Sequence, residues 1–337
     1  MFIINMKKAV QPEIIGIDGF ILSSDGTILL KCNDIDNCHI PYGVRVIKWN
    51  AFKDAKKIKQ LYIPDSVEEI EDYAFSSLNI EFVHIPSSLK KIGDYVFNKC
   101  SNLNTVEMED GISILGNSMF DGCISLESII IPESIKTLPD GIFEFCTSLK
   151  QVKLPSHLIE IGNCAFLSCS SLESIVLPSS IIGLQDSTFD GCGFSSITIP
   201  EGIVAISKEV FAMCSNLTVV RIPATLQHLE TDAFEGCYEI YLEVPKGMLS
   251  HYEDLDIEEV VEITEYDAET PTNINELKRK SDSFVRKQNH KRERDDYNYR
   301  KEMGELTSEE YFNEMIDLMI DDARIEEERR EDFYNDF

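Results

Sequence analysis

Ten cysteines and six histidines are the residues of this 337-residue sequence that could carry thiol, disulfide or metal chemistry. Thiolate and imidazole are ligands that zinc prefers, but zinc sites draw them from paired spacings such as Cys-x-x-Cys. The sequence has no such pair, and it has neither the His-x-x-x-His nor the His-Glu-x-x-His spacing of a helical metal site. We therefore expect no metal and no cofactor.

Seven of the cysteines recur at one place, three residues after a phenylalanine: Cys100, Cys123, Cys146, Cys169, Cys192, Cys214 and Cys237. A small side chain that recurs in this way fills the same buried position in each copy of a repeat, and we favour this interpretation over a metal role. Cys32 and Cys38 bracket Asp34 and Asp36, and a cap loop is favoured over a metal site for this cluster.

Other catalytic patterns are missing from the sequence. There is no Gly-x-Ser-x-Gly nucleophile turn, no phosphate-binding Walker loop and no Gly-x-Gly-x-x-Gly fingerprint. The carboxylates are scattered over positions that are predicted to be exposed. We expect a protein that is not an enzyme.

The positions of proline and phenylalanine reveal the elements that hold these residues. Prolines close short β-like runs every 22 or 23 residues, with Glu109 in one of the places, and a phenylalanine follows eleven residues later in nine of these repeats. The phenylalanines are Phe52, Phe75, Phe97, Phe120, Phe143, Phe166, Phe189, Phe211 and Phe234. A fixed period of this length predicts a solenoid, in which each repeat buries its apolar face against its neighbours.

Each repeat begins with a predicted strand. Leu149, Val152 and Leu154 precede Pro155 with the spacing of a leucine-rich strand, and their alternation places these side chains in the core. Proline has no N–H for a ladder, so it ends the strand at the same place in each repeat. About nine strands spaced by roughly 4.8 Å would form a parallel sheet on the order of 40 Å long.

The run from Ile85-Pro86 to Phe97-Asn98-Lys99-Cys100 resembles the BspA-type leucine-rich repeat family, over residues 41 to about 245. Residues 19–27 resemble the hairpin that caps such a solenoid, and residues 244–263 resemble its C-terminal cap. The predicted parts are a capping hairpin (1–40), a leucine-rich solenoid with its cap (41–263) and a linker with a charged helical tail (264–337). The resemblance implies an interaction protein, and many family members are surface adhesins.

The strand positions that point away from the core are not dictated by the repeat and are free to suit a partner. Two or four residues before the prolines, they include aromatic, apolar and basic side chains. The ordinary β-propensity of exposed strand residues is the alternative explanation, but such a stripe is also typical of interface hot spots. The predicted partner-binding residues here are Tyr62, Phe82, His84, Ile130, Lys153, Val176, Arg221 and Tyr241.

Charge and hydropathy limit where the protein works and what it binds. The net charge of −29 repels phosphate backbones and anionic lipid, so neither nucleic acid nor a membrane surface is an expected partner. The first residues do not have the basic-then-apolar order of a secretory signal, and no apolar run approaches 18 residues. We expect a cytoplasmic protein.

The tail contains two blocks of opposite charge. Residues 277–301 have ten basic and four acidic side chains, whereas residues 302–337 have three basic and fourteen acidic ones. A helical hairpin or a solvated segment is favoured over a nucleic-acid arm for the basic block. In the acidic block, Thr307 and Glu310 form a capping box before a helical apolar stripe. Partner-binding residues predicted on this stripe are Phe312, Met315, Ile316 and Met319.

These observations favour a protein–protein interaction scaffold, with a strand face and a C-terminal helix that dock on a partner or a second copy. A surface adhesin that is exported by another route is the alternative, and a regulatory subunit of an enzyme is a third possibility. The sequence identifies neither the partner nor the oligomeric state.

The tail helix provides the first test. An isolated helix of this length is marginal in water, so its apolar stripe should need a protein surface. Changing Ile316 and Met319 to Asp should abolish association and leave the melting transition of the solenoid nearly unchanged, because coils depend chiefly on their neighbours. Sedimentation and thermal melting measure the two effects. A loss of many degrees in the melting temperature would show instead that the helix caps its own solenoid.

Overall fold

The computed structural model describes residues 14–17, 19–33, 38–252 and 260–266, together with Phe284, Arg286, Lys291 and Arg294. Strands of two to seven residues follow one another along the chain, as expected for a coil that turns several times within each repeat. In chain order the elements are β1 (Ile14–Ile17), β2 (Phe20–Ser23), β3 (Ile28–Cys32), β4 (Cys38–His39), β5 (Val46–Ile47), β6 (Gln60–Tyr62), β7 (Glu69–Ile70), β8 (Phe82–Ile85), β9 (Lys91–Ile92), β10 (Thr105–Met108), β11 (Ser128–Ile130), β12 (Thr137–Leu138), β13 (Gln151–Lys153), β14 (Glu160–Ile161), β15 (Gly183–Leu184), β16 (Ser196–Thr198), β17 (Ala205–Ile206), β18 (Val219–Arg221), β19 (His228–Leu229), β20 (Ile240–Pro245), α1 (Leu249–Tyr252) and β21 (Val260–Tyr266).

Each repeat forms one coil with three sides. The strand face holds the strands that precede the prolines, from β4 to β20. The lateral face holds the two-residue strands that follow, such as β12 after Pro132. The third side, which we call the Phe turn, consists of tight turns around the repeat phenylalanine. The predicted solenoid of stacked parallel strands is confirmed, and a single apolar core runs through it.

Strand-face pairing is parallel and in register, so that Tyr62 lies opposite His84 and His84 lies opposite Glu107. The sequence predicts one continuous sheet, but the strands form three groups, namely β4, β6, β8 and β10, then β11 and β13, then β16, β18, β20 and β21. Glu109, at the proline position, donates its N–H to the carbonyl oxygen of Ile85 at 3.1 Å, which proline could not do. This bond joins the end of β10 to β8. On its other side β10 does not pair with β11, which belongs to the next group of strands.

Both ends of the solenoid differ from its middle. Strands β1, β2 and β3 pair antiparallel, and β3 then pairs parallel with β5 at the start of the lateral face. At the other end, β21 pairs parallel with β20 and runs to Tyr266, three residues past the predicted end of the solenoid. The division of the chain at residues 40 and 263 remains a prediction.

The repeat phenylalanines form a continuous stack inside the solenoid. All nine rings are fully buried, and the centroids of neighbouring rings lie 4.7 to 5.9 Å apart. Phe143, for example, lies 5.7 Å from Phe120 and 5.4 Å from Phe166. Aromatic pairs at this distance contribute about 0.5–1.5 kcal/mol beyond the burial of their area.

A ladder of backbone hydrogen bonds joins the Phe turns, and in it the N–H groups of one coil donate to the carbonyl oxygens of the next. Around Phe97, the N–H groups of Tyr95, Phe97 and Lys99 donate to the next coil at 2.9, 2.9 and 2.7 Å. The same three-bond pattern recurs around Phe75, Phe120, Phe143, Phe166 and Phe189. At the phenylalanines, which are fully buried, the bond also removes the cost of an unpaired N–H group.

The Phe turn needs left-handed backbone on both sides of the ring. Tyr95 and Lys99 flank Phe97 with φ values of 57° and 58°, and the equivalent residues of most coils also have positive φ. A left-handed conformation costs a non-glycine residue about 1–2 kcal/mol. It also turns the N–H groups of three alternate residues, such as Tyr95, Phe97 and Lys99, towards the next coil, so the ladder and the stacked rings offset the strain.

Phe143 provides a test of this packing. Changing Phe143 to Ala removes a ring that is buried between two others, so the free energy of unfolding should fall by about 3–5 kcal/mol. Phe145→Ala is the matched control, because Phe145 lies in the same turn with its side chain 47% exposed, and it should cost less than about 1 kcal/mol. Denaturant melts measure both values, and equal losses would contradict the stacked core.

Candidate functional site

The eight predicted partner-binding residues of the solenoid lie along the strand face, with their side chains outside the core. Tyr62 lies on β6, and Phe82 and His84 lie on β8. The others follow along the sheet groups, with Ile130 on β11, Lys153 on β13, Arg221 on β18 and Tyr241 on β20. Val176 lies in the coil between β13 and β16. Alternation along each strand explains this, because neighbouring residues such as Leu61 and Val83 are buried.

An aromatic row marks the N-terminal end of the strand face. The rings of His39 and Tyr62 stack with an interplanar angle of 8° at a centroid distance of 6.1 Å. Tyr62 and Phe82 lie 5.2 Å apart. Tyr62 remains 43% exposed, so this row presents aromatic surface that its own packing holds in place. Rigid aromatic side chains of this kind are enriched in protein interfaces.

A first crevice opens between β10 and β11, where the sheet is interrupted, and has a volume of about 500 Å³. Val106 and Met108 point towards the core, yet they are only half-buried, whereas the equivalent Val83 and Ile85 of the previous coil are fully buried. On the opposite wall Ile130 is 65% exposed. The interruption therefore exposes core side chains on the strand face.

Acidic groups form the rim of the first crevice. Glu107, Glu109 and Asp110 all line it, and Glu109 lies 3.4 Å from the imidazole of His84. The backbone N–H and the hydroxyl of Ser87 both donate to Glu109 at 2.8 Å. These bonds hold the pKa of the Glu109 carboxyl below its ordinary value. The rim is thus negatively charged at neutral pH.

A second crevice, of about 550 Å³, opens next to β13. Its apolar lining includes Val152, Leu154 and Val176, and the Val176 side chain is 85% exposed. Lys153 and Glu133 contribute charge to the same crevice. This crevice again lies where strand pairing stops, because residues 174–177 form no strand.

The structure brings some predicted residues together and separates others. Tyr62, Phe82 and His84 form one cluster. Ile130 lies opposite Lys153 on neighbouring strands. Arg221 and Tyr241 lie on neighbouring strands at the far end, where Arg221 donates to Glu243 at 2.7 Å. The predicted tail residues Phe312, Met315, Ile316 and Met319 lie outside the described residues.

The cysteine ladder lies in the core below these surfaces. The thiol of each of the seven ladder cysteines donates to the carbonyl oxygen of a repeat phenylalanine in the preceding coil, at 3.1 to 3.3 Å. Burial raises the pKa of the Cys100 and Cys214 thiols to about 12. Within the described ranges, no group of three or more His, Cys, Asp or Glu side chains is placed to hold a metal ion.

The repeat itself relates the chain to known proteins. Six copies of the BspA type leucine-rich repeat region match residues 27–150 and 136–253, more than half of the chain. The chain belongs to the BspA-type leucine-rich repeat family. No curated protein matches the sequence.

Solved structures of bacterial leucine-rich repeat proteins resemble this BspA-type solenoid. A leucine-rich repeat protein of T. pallidum is 23% identical, covers 73% of this chain and 97% of its own, and gives a TM-score of 0.44. A protein of Bacteroides ovatus is 19% identical over 76% of this chain and 98% of its own, with a TM-score of 0.33. The pneumococcal vaccine antigen PcpA is 14% identical over 76% and 99%, with a TM-score of 0.35.

The BspA-type coils also contain a polar ladder that the sequence analysis missed. Three residues before the phenylalanine, an Asp or Asn side chain accepts the backbone N–H of its equivalent in the next coil. Asp94 accepts from Asn117 at 2.8 Å, Asn117 accepts from Asp140 at 3.2 Å and Asp140 accepts from Asn163 at 2.8 Å. The recurrence of Asp and Asn at this offset was the available signal.

None of the helices in the described part of the chain is both long and apolar enough to cross a bilayer. The four described residues beyond β21 are helical, and two of them contact the lateral face of the solenoid. The predicted tail helix at residues 307–323 lies outside the described residues.

Thiol labelling tests the interpretation of the cysteine ladder. Cys123, Cys146 and Cys169 are fully buried with raised pKa values, so native labelling should be far slower than in the unfolded chain. Cys164 is the internal control, because it is only partly buried and burial raises its pKa to about 11. It should react before the ladder cysteines in a time course followed by mass spectrometry. Fast native labelling of the ladder would overturn the core assignment.

Proposed function

We propose that the strand face of this solenoid binds a protein partner and that the protein is a non-catalytic scaffold. The observation that carries the proposal is the exposed apolar surface of the strand face. Tyr62, Ile130 and Val176 are 43%, 65% and 85% exposed, although the fold does not require an apolar residue at these positions. Exposed apolar side chains in one region are typical of interaction sites.

The two crevices add specificity to this surface. Each has room for a large side chain from a partner, since volumes of about 500 and 550 Å³ lie within the range of ligand pockets. When a partner binds, Val106 and Met108 would become fully buried. The carboxylates of the rim would favour a basic residue of the partner next to the side chain that enters the crevice. A partner that fills the first crevice should therefore place an apolar side chain next to a Lys or Arg.

The open shape of the strand face supports a binding role over a catalytic one. Catalysis usually needs a site from which water is excluded, whereas the residues of both crevices face solvent. The stacked Phe turns give the surface a rigid base, so little order is lost when a partner binds. A role of the tail stripe in binding, and a location in the cytoplasm, remain predictions from the sequence.

The decisive experiment compares two surface variants of the full chain. Ile130→Asp combined with Val176→Asp places charge in the apolar surface and should reduce the recovery of a bound partner by about tenfold or more. Quantitative mass spectrometry of proteins that copurify from the source cells measures this recovery. Ile159→Asp is the matched control, because Ile159 is 44% exposed and lies outside the strand face, and it should leave recovery unchanged.

Thermal melting must show that all the variants fold alike. If the same proteins copurify in equal amounts with both variants and with the unchanged chain, the strand face is not the binding surface. Fractionation of the source cells separates the scaffold from the surface adhesin of the alternative interpretation, because an adhesin would be found at the cell surface.

A further inference from the structure

The lateral face carries a patch of small residues in its C-terminal half. At the first position of the lateral strands, most coils have a larger side chain, such as Glu69, Lys91 or Glu160, but β15 and β17 have Gly183 and Ala205. Both residues are buried, although this position faces outwards in the other coils. Something therefore covers this part of the lateral face.

The covering group is Phe284, from the basic block of the chain. Its ring is only 6% exposed, and a Cβ atom added to Gly183 would lie 2.4 Å from the Phe284 Cε2 atom. A glycine is therefore needed at residue 183 for the ring to lie where it does. Any side chain there would displace the ring.

A second contact lies two coils away. The Lys291 ammonium donates to Asp140 Oδ2 at 2.6 Å, and the Lys291 side chain is 22% exposed. Asp140 also accepts the Asn163 N–H through Oδ1 at 2.8 Å. The pair therefore connects the basic block to the polar ladder of the solenoid.

The two contacts follow the solenoid axis with a spacing that matches helical geometry. Phe284 and Lys291 are helical, and seven helical residues span about 10.5 Å. Gly183 and Asp140 belong to coils two apart, which at strand spacing is about 10 Å. Arg294 lines the same cavity as Asn117, one coil further back. The helical rise and the coil spacing therefore match from the coil of Gly183 to that of Asn117.

We propose that the lateral face is a docking site for this chain's own segment around Phe284 and Lys291, which forms an electrostatic latch in cis. The ring anchors it on Gly183, and the Lys291–Asp140 pair sets its register. Because the Lys291–Asp140 contact is an ion pair between partly exposed side chains, ionic strength weakens it. Release uncovers the small-residue patch and frees the tail beyond it.

Hydrogen–deuterium exchange of the full chain, read on peptides that span residues 284–294, tests the latch. Asp140→Asn keeps a side-chain oxygen that can accept the Asn163 N–H, as the Asn117 amide oxygen accepts the Asp140 N–H one coil earlier, and removes only the charge. It should speed exchange in these peptides about two- to fivefold, the range of an exposed ion pair. Gly183→Val should expel the ring and speed exchange about tenfold or more.

Matched controls lie away from the contacts of Phe284 and Lys291. Asp94→Asn changes the same ladder position two coils away, and Lys91→Val introduces valine at the lateral position equivalent to Gly183. Both should leave exchange in residues 284–294 as it is in the unchanged chain. Added salt should speed exchange in the unchanged chain and have less effect on Asp140→Asn.

Two outcomes would overturn the proposal. Exchange in residues 284–294 that is equally fast in the unchanged chain and in both test variants would mean that no latch forms. Protection that disappears on serial dilution would mean that the segment docks on a second copy and not in cis. Thermal melts of the variants must stay close to that of the unchanged chain, so that faster exchange reports the latch and not unfolding.

Discussion

The backbone hydrogen bond from one Phe turn to the next is the interaction on which the rest of this solenoid depends. Strand pairing is interrupted on both the strand face and the lateral face, but the Phe-turn ladder continues from Tyr73 to Glu235. It holds the coils at a spacing that lets the phenylalanine rings stack and the cysteine thiols reach the carbonyl oxygens of the preceding coil. Buried, well-paired backbone groups of this kind tolerate irregular side chains elsewhere.

This continuity explains why the strand face can vary. A sheet that carried all the stability could not lose its pairing between β10 and β11, because the exposed edges would weaken the core. Here the Phe turns of the same coils remain bonded, so the strand face opens into a crevice and the solenoid stays intact. Variation between coils is concentrated where the coil does not depend on strand pairing, and the proposed binding surface lies there.

The sequence predicts the fold well because the interior is repetitive. The offset of eleven residues from proline to phenylalanine placed Phe143 and Cys146 correctly in the core. The left-handed residues were not predicted, because Tyr95, Cys164 and Gly141 occupy equivalent positions without sharing side-chain chemistry. The sequence shows Glu109 in place of a proline next to the interruption at β10. The effect of this residue depends on the direction of its backbone N–H group, which the sequence does not indicate. The Gly183–Phe284 contact joins residues a hundred positions apart, and no local pattern indicates it.

The ladder also has a direction, because each Phe turn from Phe75 to Phe211 donates its N–H groups to the turn on its C-terminal side. If a coil were inserted between two others in the same orientation, its N–H groups would face the carbonyl oxygens of the coil on its C-terminal side. Its own carbonyl oxygens would face the N–H groups of the coil on its N-terminal side. Coils of 22 and 23 residues already coexist in this chain, so the joints tolerate one residue more or less. Duplication or loss of whole coils would change the length of the molecule without disturbing either end. The number of coils therefore sets the length of the strand face.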